Sequence, residues 1–173
     1  LNPAFYFGLS ATPKAGTNIL YEVSGRALND EEMIKLDLHV YPSANNAEWR
    51  DVVLNIKNKR DSLEELATDY TQNHGSYIRP IALIQVERTG KDQRGVGFVH
   101  AEDVREYLQN ELQVDPSMIA VKSSVIDEIK EEDLLSRDSE IRYIITKDAL
   151  SEGWDCSFAY ILGIIPNTTS NTG

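Results

Sequence analysis

The chain has 173 residues, 41% hydrophobic and 26% charged, which is enough apolar material for one packed core with an appendage. Lys and Arg number 17 against 28 Asp and Glu, a net charge of −11 that excludes the broad basic face on which strong phosphate binding usually rests. No apolar run approaches the roughly 18 residues of a membrane helix, and no basic start leads into an apolar segment, so neither a membrane span nor a signal peptide is read and the cytoplasm is the expected setting.

The first element in chain order is the aromatic and apolar run Phe5 to Leu9, which reads as a buried strand closed by the turn Ser10-Ala11-Thr12-Pro13. The chain opens on Leu1 with nothing before that strand and ends on the polar run Pro166 to Gly173, so it is expected to be a piece of a longer protein. Residues 18 to 23 and 34 to 41 alternate (Ile19, Tyr21, Val23; Ile34, Leu36, Leu38, Val40) around the acidic stretch Asn29 to Glu32, which predicts two strands of a small α+β appendage.

Trp49, Val52, Val53 and Ile56 fall on one helical face, and Leu63, Leu66, Ala67 and Tyr70 repeat that spacing, so residues 46 to 73 read as amphipathic helix. Ser62 with Glu65 has capping-box spacing and offers a second start near residues 58 to 62, while Gly75 is placed to stop the helix.

From residue 76 the rhythm becomes strand, helix, strand, the mark of a parallel sheet with covering helices. Ile81 to Val86 reads as a strand buried on both faces, followed by a polar loop from Thr89 to Gly97. A helix over 101 to 113 carries Ala101, Val104, Leu108 and Leu112 on one face, and Asp115-Pro116 turns into a strand at Met118 to Val121. Ile126, Ile129 and Leu134 suggest a short helix, and Ile141 to Ile145 and Tyr160 to Ile165 complete four apolar strands. No internal repeat, low-complexity tract or heptad run is present.

Several leads fail on spacing. Gly8 to Lys14 mimics a phosphate loop, but Pro13 stands where Gly is needed before Lys14, and Ala15 replaces the hydroxyl residue that would hold magnesium. The run Asp30-Glu31-Glu32-Met33 has no apolar strand before it and reads as a solvated acidic turn. His39, His74 and His100 are too far apart for a local metal signature, and the lone Cys156 excludes an internal disulfide or a thiolate zinc cluster. Gly95-Val96-Gly97 reads equally as a plain turn or a phosphate contact.

The remaining candidates cluster at strand ends, where ligands gather in open α/β sheets. Thr146, at the carboxyl end of a strand, either caps the next helix or offers its hydroxyl to a phosphate. Lys147 is either solvated or a further phosphate contact. Gln85 either reaches nucleic acid or satisfies a buried backbone group. Gly153 permits an unusual backbone or close approach, Trp154 packs under the turn or stacks on a base, and Asp155 can accept hydrogen bonds from ribose or arginine.

Three runs carry a resemblance. Ile144 to Asp155, ending in Glu-Gly-Trp-Asp and followed by Cys156, resembles the fifth motif of superfamily 2 helicases and translocases. Upstream, Phe5 to Pro13 is similar to their third motif, and Ile81 to Glu87 to their fourth, in the right order. The nearest likeness is to the ATPase (Res) subunit of type III restriction enzymes, through Leu-Ile-Gln-Val-Glu and the long fifth motif, and it spans almost the whole chain.

The resemblance implies an α/β fold. Residues 1 to 13 would end a first motor lobe and 14 to 75 form a connecting appendage. Residues 76 to 173 would form a RecA-like second lobe, a parallel sheet with flanking helices that stops before the arginine-bearing sixth motif.

It further implies that Gly153 and Asp155 face ATP, that Thr146, Lys147 and Gln85 face nucleic acid, and that Ser10, Ala11 and Thr12 couple the lobes. ATP and magnesium would be used by the full-length protein, with no catalytic residue, metal ligand or cofactor held by this chain alone. The implied partners are DNA, the first lobe of the same chain and a methyltransferase modification subunit. The alternatives are a repair or RNA helicase of the same superfamily, and a non-catalytic α/β interaction module that docks a partner through its acidic surface and the helix of residues 46 to 73.

Overall fold

The computed structural model describes residues 7–10, 13–31, 33, 39–42, 48–87, 89, 94, 98–147 and 156–165. The chain divides into two compact units, Leu1–Pro42 and Ser43–Gly173.

In the first unit the described residues form a turn at Lys14 to Thr17, with Gly16 at a positive φ of 83°, and one short helix, α1 (Gly25–Asp30). Ser24 caps α1, its hydroxyl accepting from the Ala27 N–H at 3.1 Å. The strand expected over 18 to 23 does not form: Ile19, Tyr21 and Val23 are exposed in irregular chain. Alternation alone does not hold a strand; it needs a ladder partner, and residues 18 to 23 have none in the sheet. Of the second expected strand, 34–38 lie outside the described residues and 39–41 carry no strand. Likewise Phe7 to Leu9 form no strand, and 1–6 are not described.

The second unit is an α/β fold around a four-stranded, all-parallel sheet. Its elements are α2 (Trp49–His74), β1 (Ile81–Gln85), α3 (Ala101–Glu106), β2 (Ile119–Lys122), β3 (Tyr143–Thr146) and β4 (Ala159–Ile164), and the sheet order is β2-β3-β1-β4. Strands β1, β2 and β3 are nearly all apolar because both of their faces are covered, whereas β4 at the edge leaves Leu162 and Ile164 exposed.

One face gathers Ala82, Ile84, Val121, Tyr143 and Ile145 under Val53 and Ile56 of α2 and Val104 of α3. The other gathers Ile81, Leu83, Ala120 and Ile144 under Ile129, Leu134 and Cys156. Cys156 is thus buried packing. The two-face division follows from chirality. The β1–β2 connection travels one way across the sheet and the next two travel back, so right-handed crossovers put α3 on one face and residues 123 to 141 on the other.

Helix α2 is a single 26-residue helix that runs through residues 58 to 62 without a break and stops at Gly75, whose φ of 74° is the left-handed cap expected there. Ser62 and Glu65 sit in mid-helix, where Lys57–Asp61 and Arg60–Glu64 pairs at i, i+4 support the turn instead. The helix over 101 to 113 starts at a capping box in which the His100 ring nitrogen accepts from the Glu102 N–H at 3.1 Å and Asp103 accepts from the His100 N–H at 3.0 Å. It loosens into a π-turn over Tyr107–Glu111 and ends where Gln113 takes a positive φ of 54°.

The short helix expected around Ile126 to Leu134 is replaced by turns. Ser123, Asp133 and Ser136 bond nearby main-chain N–H groups of Ile126, Leu135 and Asp138 at 3.0 to 3.1 Å, and such local bonds compete with helix. This irregular cover is pinned by Arg79. Its fully buried guanidinium donates to the carbonyls of Ser136 (2.8 Å), Ser139 and Leu134, tying residues 134 to 139 to the entrance of β1.

Helix α2 approaches β4 at Gly163, where an added Cβ would lie 2.0 Å from Ile56 Cδ1 and 2.8 Å from its Cγ1. Gly163→Ala is therefore expected to cost about 1–3 kcal/mol in urea unfolding. Ile56→Ala in the same chain should recover part of that loss, so that the double variant costs less than the sum of the single ones.

Candidate functional site at the carboxyl edge of the sheet

Along the sheet, the step from β1 to β2 runs in one direction and the step from β3 to β4 runs in the other. The carboxyl ends of β1 and β3 therefore flank a topological switch point, where departing loops splay apart and open α/β sheets form their ligand crevice. Register places one residue of each strand on a common row at this edge: Lys122 pairs with Thr146, Thr146 with Gln85, and Gln85 with Ile164. In-register neighbours in a parallel sheet point to the same face, here the face of Leu83, Ala120 and Ile144.

The structure thus brings together two residues that sequence reasoning took separately, Thr146 and Gln85. Thr146 is 3% exposed, and its carbonyl accepts from the Val86 N–H at 2.8 Å as β1 leaves the sheet. Gln85 is half-buried and donates its amide to the Lys147 carbonyl at 3.3 Å, so it holds the backbone where the turn after β3 begins. Lys147 is exposed.

Ser10 is exposed in the first unit, whereas Ala11, Thr12, Gly153, Trp154 and Asp155 lie outside the described residues, as do Gly95, Val96 and Gly97. The two residues that resemblance assigns to ATP are therefore not among those described. Among the described residues there is also no group of three or more His, Cys, Asp or Glu side chains arranged to hold a metal ion. No helix among them is long and apolar enough to cross a membrane.

Sequence reasoning missed Lys122. The strand was expected to end at Val121, one residue short, so the lysine closing β2 was not seen as part of the row. A signal was present in the polar run Lys122-Ser123-Ser124 that terminates an apolar strand, as Thr146-Lys147-Asp148 terminates β3. Asp127 was missed for a different reason. It reaches the row through an antiparallel bridge with Lys122, made where a helix was expected. Its carboxylate lies 2.6 Å from the Lys122 ammonium, which holds the Asp127 carboxyl below its ordinary range.

The opposite edge of the sheet is built to be structural. Arg60 of α2 is buried, donates Nε to the Pro80 carbonyl at 3.4 Å, pairs with Asp61 and Glu64, and stands 5.6 Å over the ring of Tyr143. Glu64 also lies 3.5 Å from Arg142. Burial lowers the affinity of Arg142 for its proton, with Glu64 opposing. Burial likewise pushes the Tyr143 phenol above its ordinary value, against the pull of Arg60. No protein-family model, curated protein or solved structure matches this chain.

A raised phenol in the fold ionises later than in the unfolded chain, so Tyr143 contributes stability that is complete below about pH 10 and is lost as pH climbs through its folded value. Tyr143→Phe should therefore remove a late step, above about pH 10, from an ultraviolet titration of the folded chain. A titration curve that keeps that late step in the variant would show that another tyrosine carries it.

Proposed function

We propose that this chain is part of a superfamily 2 motor, its second unit a RecA-like second lobe that grips a nucleic-acid backbone at the carboxyl edge of the sheet. The nearest reading is the ATPase subunit of a type III restriction enzyme acting on DNA. The single observation that carries the proposal is the shared row. Gln85 of the fourth-motif-like strand and Thr146 of the fifth-motif-like strand, 61 residues apart in sequence, become in-register neighbours at the switch point. An all-parallel sheet with the two motif-like strands adjacent at its centre is what a motor lobe requires, since both motifs must present their trailing turns to the same ligand.

In this reading the main chain and hydroxyls do the binding. A chain with a net charge of −11 cannot rely on a basic surface, but N–H groups, a threonine hydroxyl and one or two lysines contact phosphate without one. Gln85 sets the start of the fifth-motif turn by holding the Lys147 carbonyl. Lys147 supplies an exposed charge beside it. Thr146 is covered, so its hydroxyl meets a phosphate only after the chain over it shifts, which makes the grip conditional.

ATP and magnesium would supply the driving chemistry in the full protein. This sequence contains no phosphate loop, and without one there is no cradle in which to position a γ-phosphate for attack. The chain alone is therefore expected to show no ATP hydrolysis through gel filtration. Joined to a first lobe that carries a phosphate loop, it should restore ATP hydrolysis stimulated by nucleic acid. In that assembly Thr146→Ala should weaken the stimulation by nucleic acid, and Asp155→Ala should impair ATP use; if both hydrolyse and translocate like the parent, the motor reading fails.

A second reading is favoured by α2. Its far half leaves Leu66 and Tyr70 exposed and carries Asp61, Glu65 and Asp69 at successive i, i+4 positions, the features of an interaction module. Leu66→Ser with Tyr70→Ser discriminates. The pair should leave nucleic-acid-stimulated hydrolysis intact if the motor reading holds.

A further inference from the structure

The row at the carboxyl edge holds one charged member, Lys122, and the proposed function leaves it without a task. It stands on β2 beside Thr146, two strand spacings or about 10 Å from Gln85, and on the same face as both. Its ammonium is engaged by Asp127 at 2.6 Å, yet the two side chains are 31% and 33% exposed. A pair so open to water adds little to stability, because solvent screens it and both side chains give up rotamer freedom to form it.

The surrounding chain nevertheless builds Asp127 into place. The Ser123 N–H donates to the Ile126 carbonyl at 2.6 Å, the Glu128 N–H to the Val121 carbonyl at 3.1 Å, and the Val121 N–H to the Glu128 carboxylate at 2.7 Å. The chain after β2 is folded back so that a carboxylate meets the one ammonium on the row.

We propose that Lys122 is a phosphate-binding residue of the carboxyl edge, and that Asp127 is its built-in competitor, occupying the ammonium until a phosphate group takes its place. The inference rests on the motor reading for the site, and adds to it a charged contact and a reason for the weak binding that the acidic composition implies. A phosphate oxygen replaces the Asp127 carboxylate on the same ammonium, so the exchange needs no new cation and no rearrangement of β2. Release of Asp127 also returns its charge to water, where it repels the incoming backbone. Affinity is thereby kept low by the build of the site and not only by net charge.

The test is fluorescence anisotropy of a labelled single-stranded oligonucleotide with the intact chain at low ionic strength, beside NMR titration of the same chain with inorganic phosphate. Lys122→Gln should weaken oligonucleotide binding several-fold and reduce the slope of log affinity against log salt by about 0.7, the value for one phosphate contact on a single strand. Lys122→Arg, which keeps the charge, should retain binding. Asp127→Asn should strengthen binding several-fold, and that gain should vanish in the Lys122→Gln background. This last comparison separates release of Lys122 from a general loss of negative charge, which would strengthen both backgrounds alike.

Shifts at Lys122 with inorganic phosphate and no anisotropy response would assign the contact to free phosphate, whereas an anisotropy response assigns it to the backbone; either supports the contact. Oligonucleotide binding that Lys122→Gln leaves unchanged overturns this inference and spares the motor reading. A gain from Asp127→Asn that persists without Lys122 overturns the competitor role. Absence of any response to oligonucleotide or phosphate overturns the inference together with the reading it rests on.

Discussion

The second unit depends on burying a parallel sheet from both sides. Strand β1 has nothing but apolar residues from Ile81 to Ile84, so neither of its faces tolerates water, and β3 pairs beside it with Tyr143 to Ile145 equally buried. Two helices cover one face. The other is covered by turns that have no regular hydrogen-bond ladder of their own and therefore need external fastening. Arg79 supplies it from the entrance of β1, while the short side chains of Ser123, Asp133 and Ser136 close the turns locally. Core and cover are interdependent: the chain leading into the strand that needs shielding carries the arginine that holds the shield.

The same arrangement positions the candidate site. The sheet reverses its direction of travel at β1 and β3, the kind of place where open α/β sheets take ligands, and register decides which side chains stand at that edge. Lys122, Thr146 and Gln85 come from three segments spread over more than sixty residues of chain, and only the ladder sets them side by side. The two edges of the sheet are chemically distinct. One holds arginines locked by carboxylates and carbonyls, and the other holds a few polar side chains whose partners include a backbone carbonyl and a half-exposed aspartate.

Much of this unit was legible in the sequence because its periodicities are strong. Four apolar runs became four strands, the helical stripe from Trp49 to Tyr70 became α2, and Gly75 stopped it through the left-handed conformation that glycine adopts at little cost. What misled was local pattern without its tertiary context. The alternation of Ile19, Tyr21 and Val23 has no strand to pair with, and the apolar spacing of Ile126, Ile129 and Leu134 was overridden by side chains that capture main-chain N–H groups for turns. The candidate site was half legible. Thr146 and Gln85 could be picked out at strand ends, but their adjacency is a property of strand order, which no local pattern encodes, and Lys122 was lost to a boundary misplaced by a single residue.

Arg79 grips residues 134 to 139 by their carbonyl oxygens, and every amino acid presents the same carbonyl. Such a clasp is blind to side-chain identity but sensitive to spacing along the chain. The letters of that stretch answer to other demands, such as the packing of Leu134 and the turn closed by Ser136, whereas a single insertion or deletion would carry an oxygen out of the guanidinium's reach.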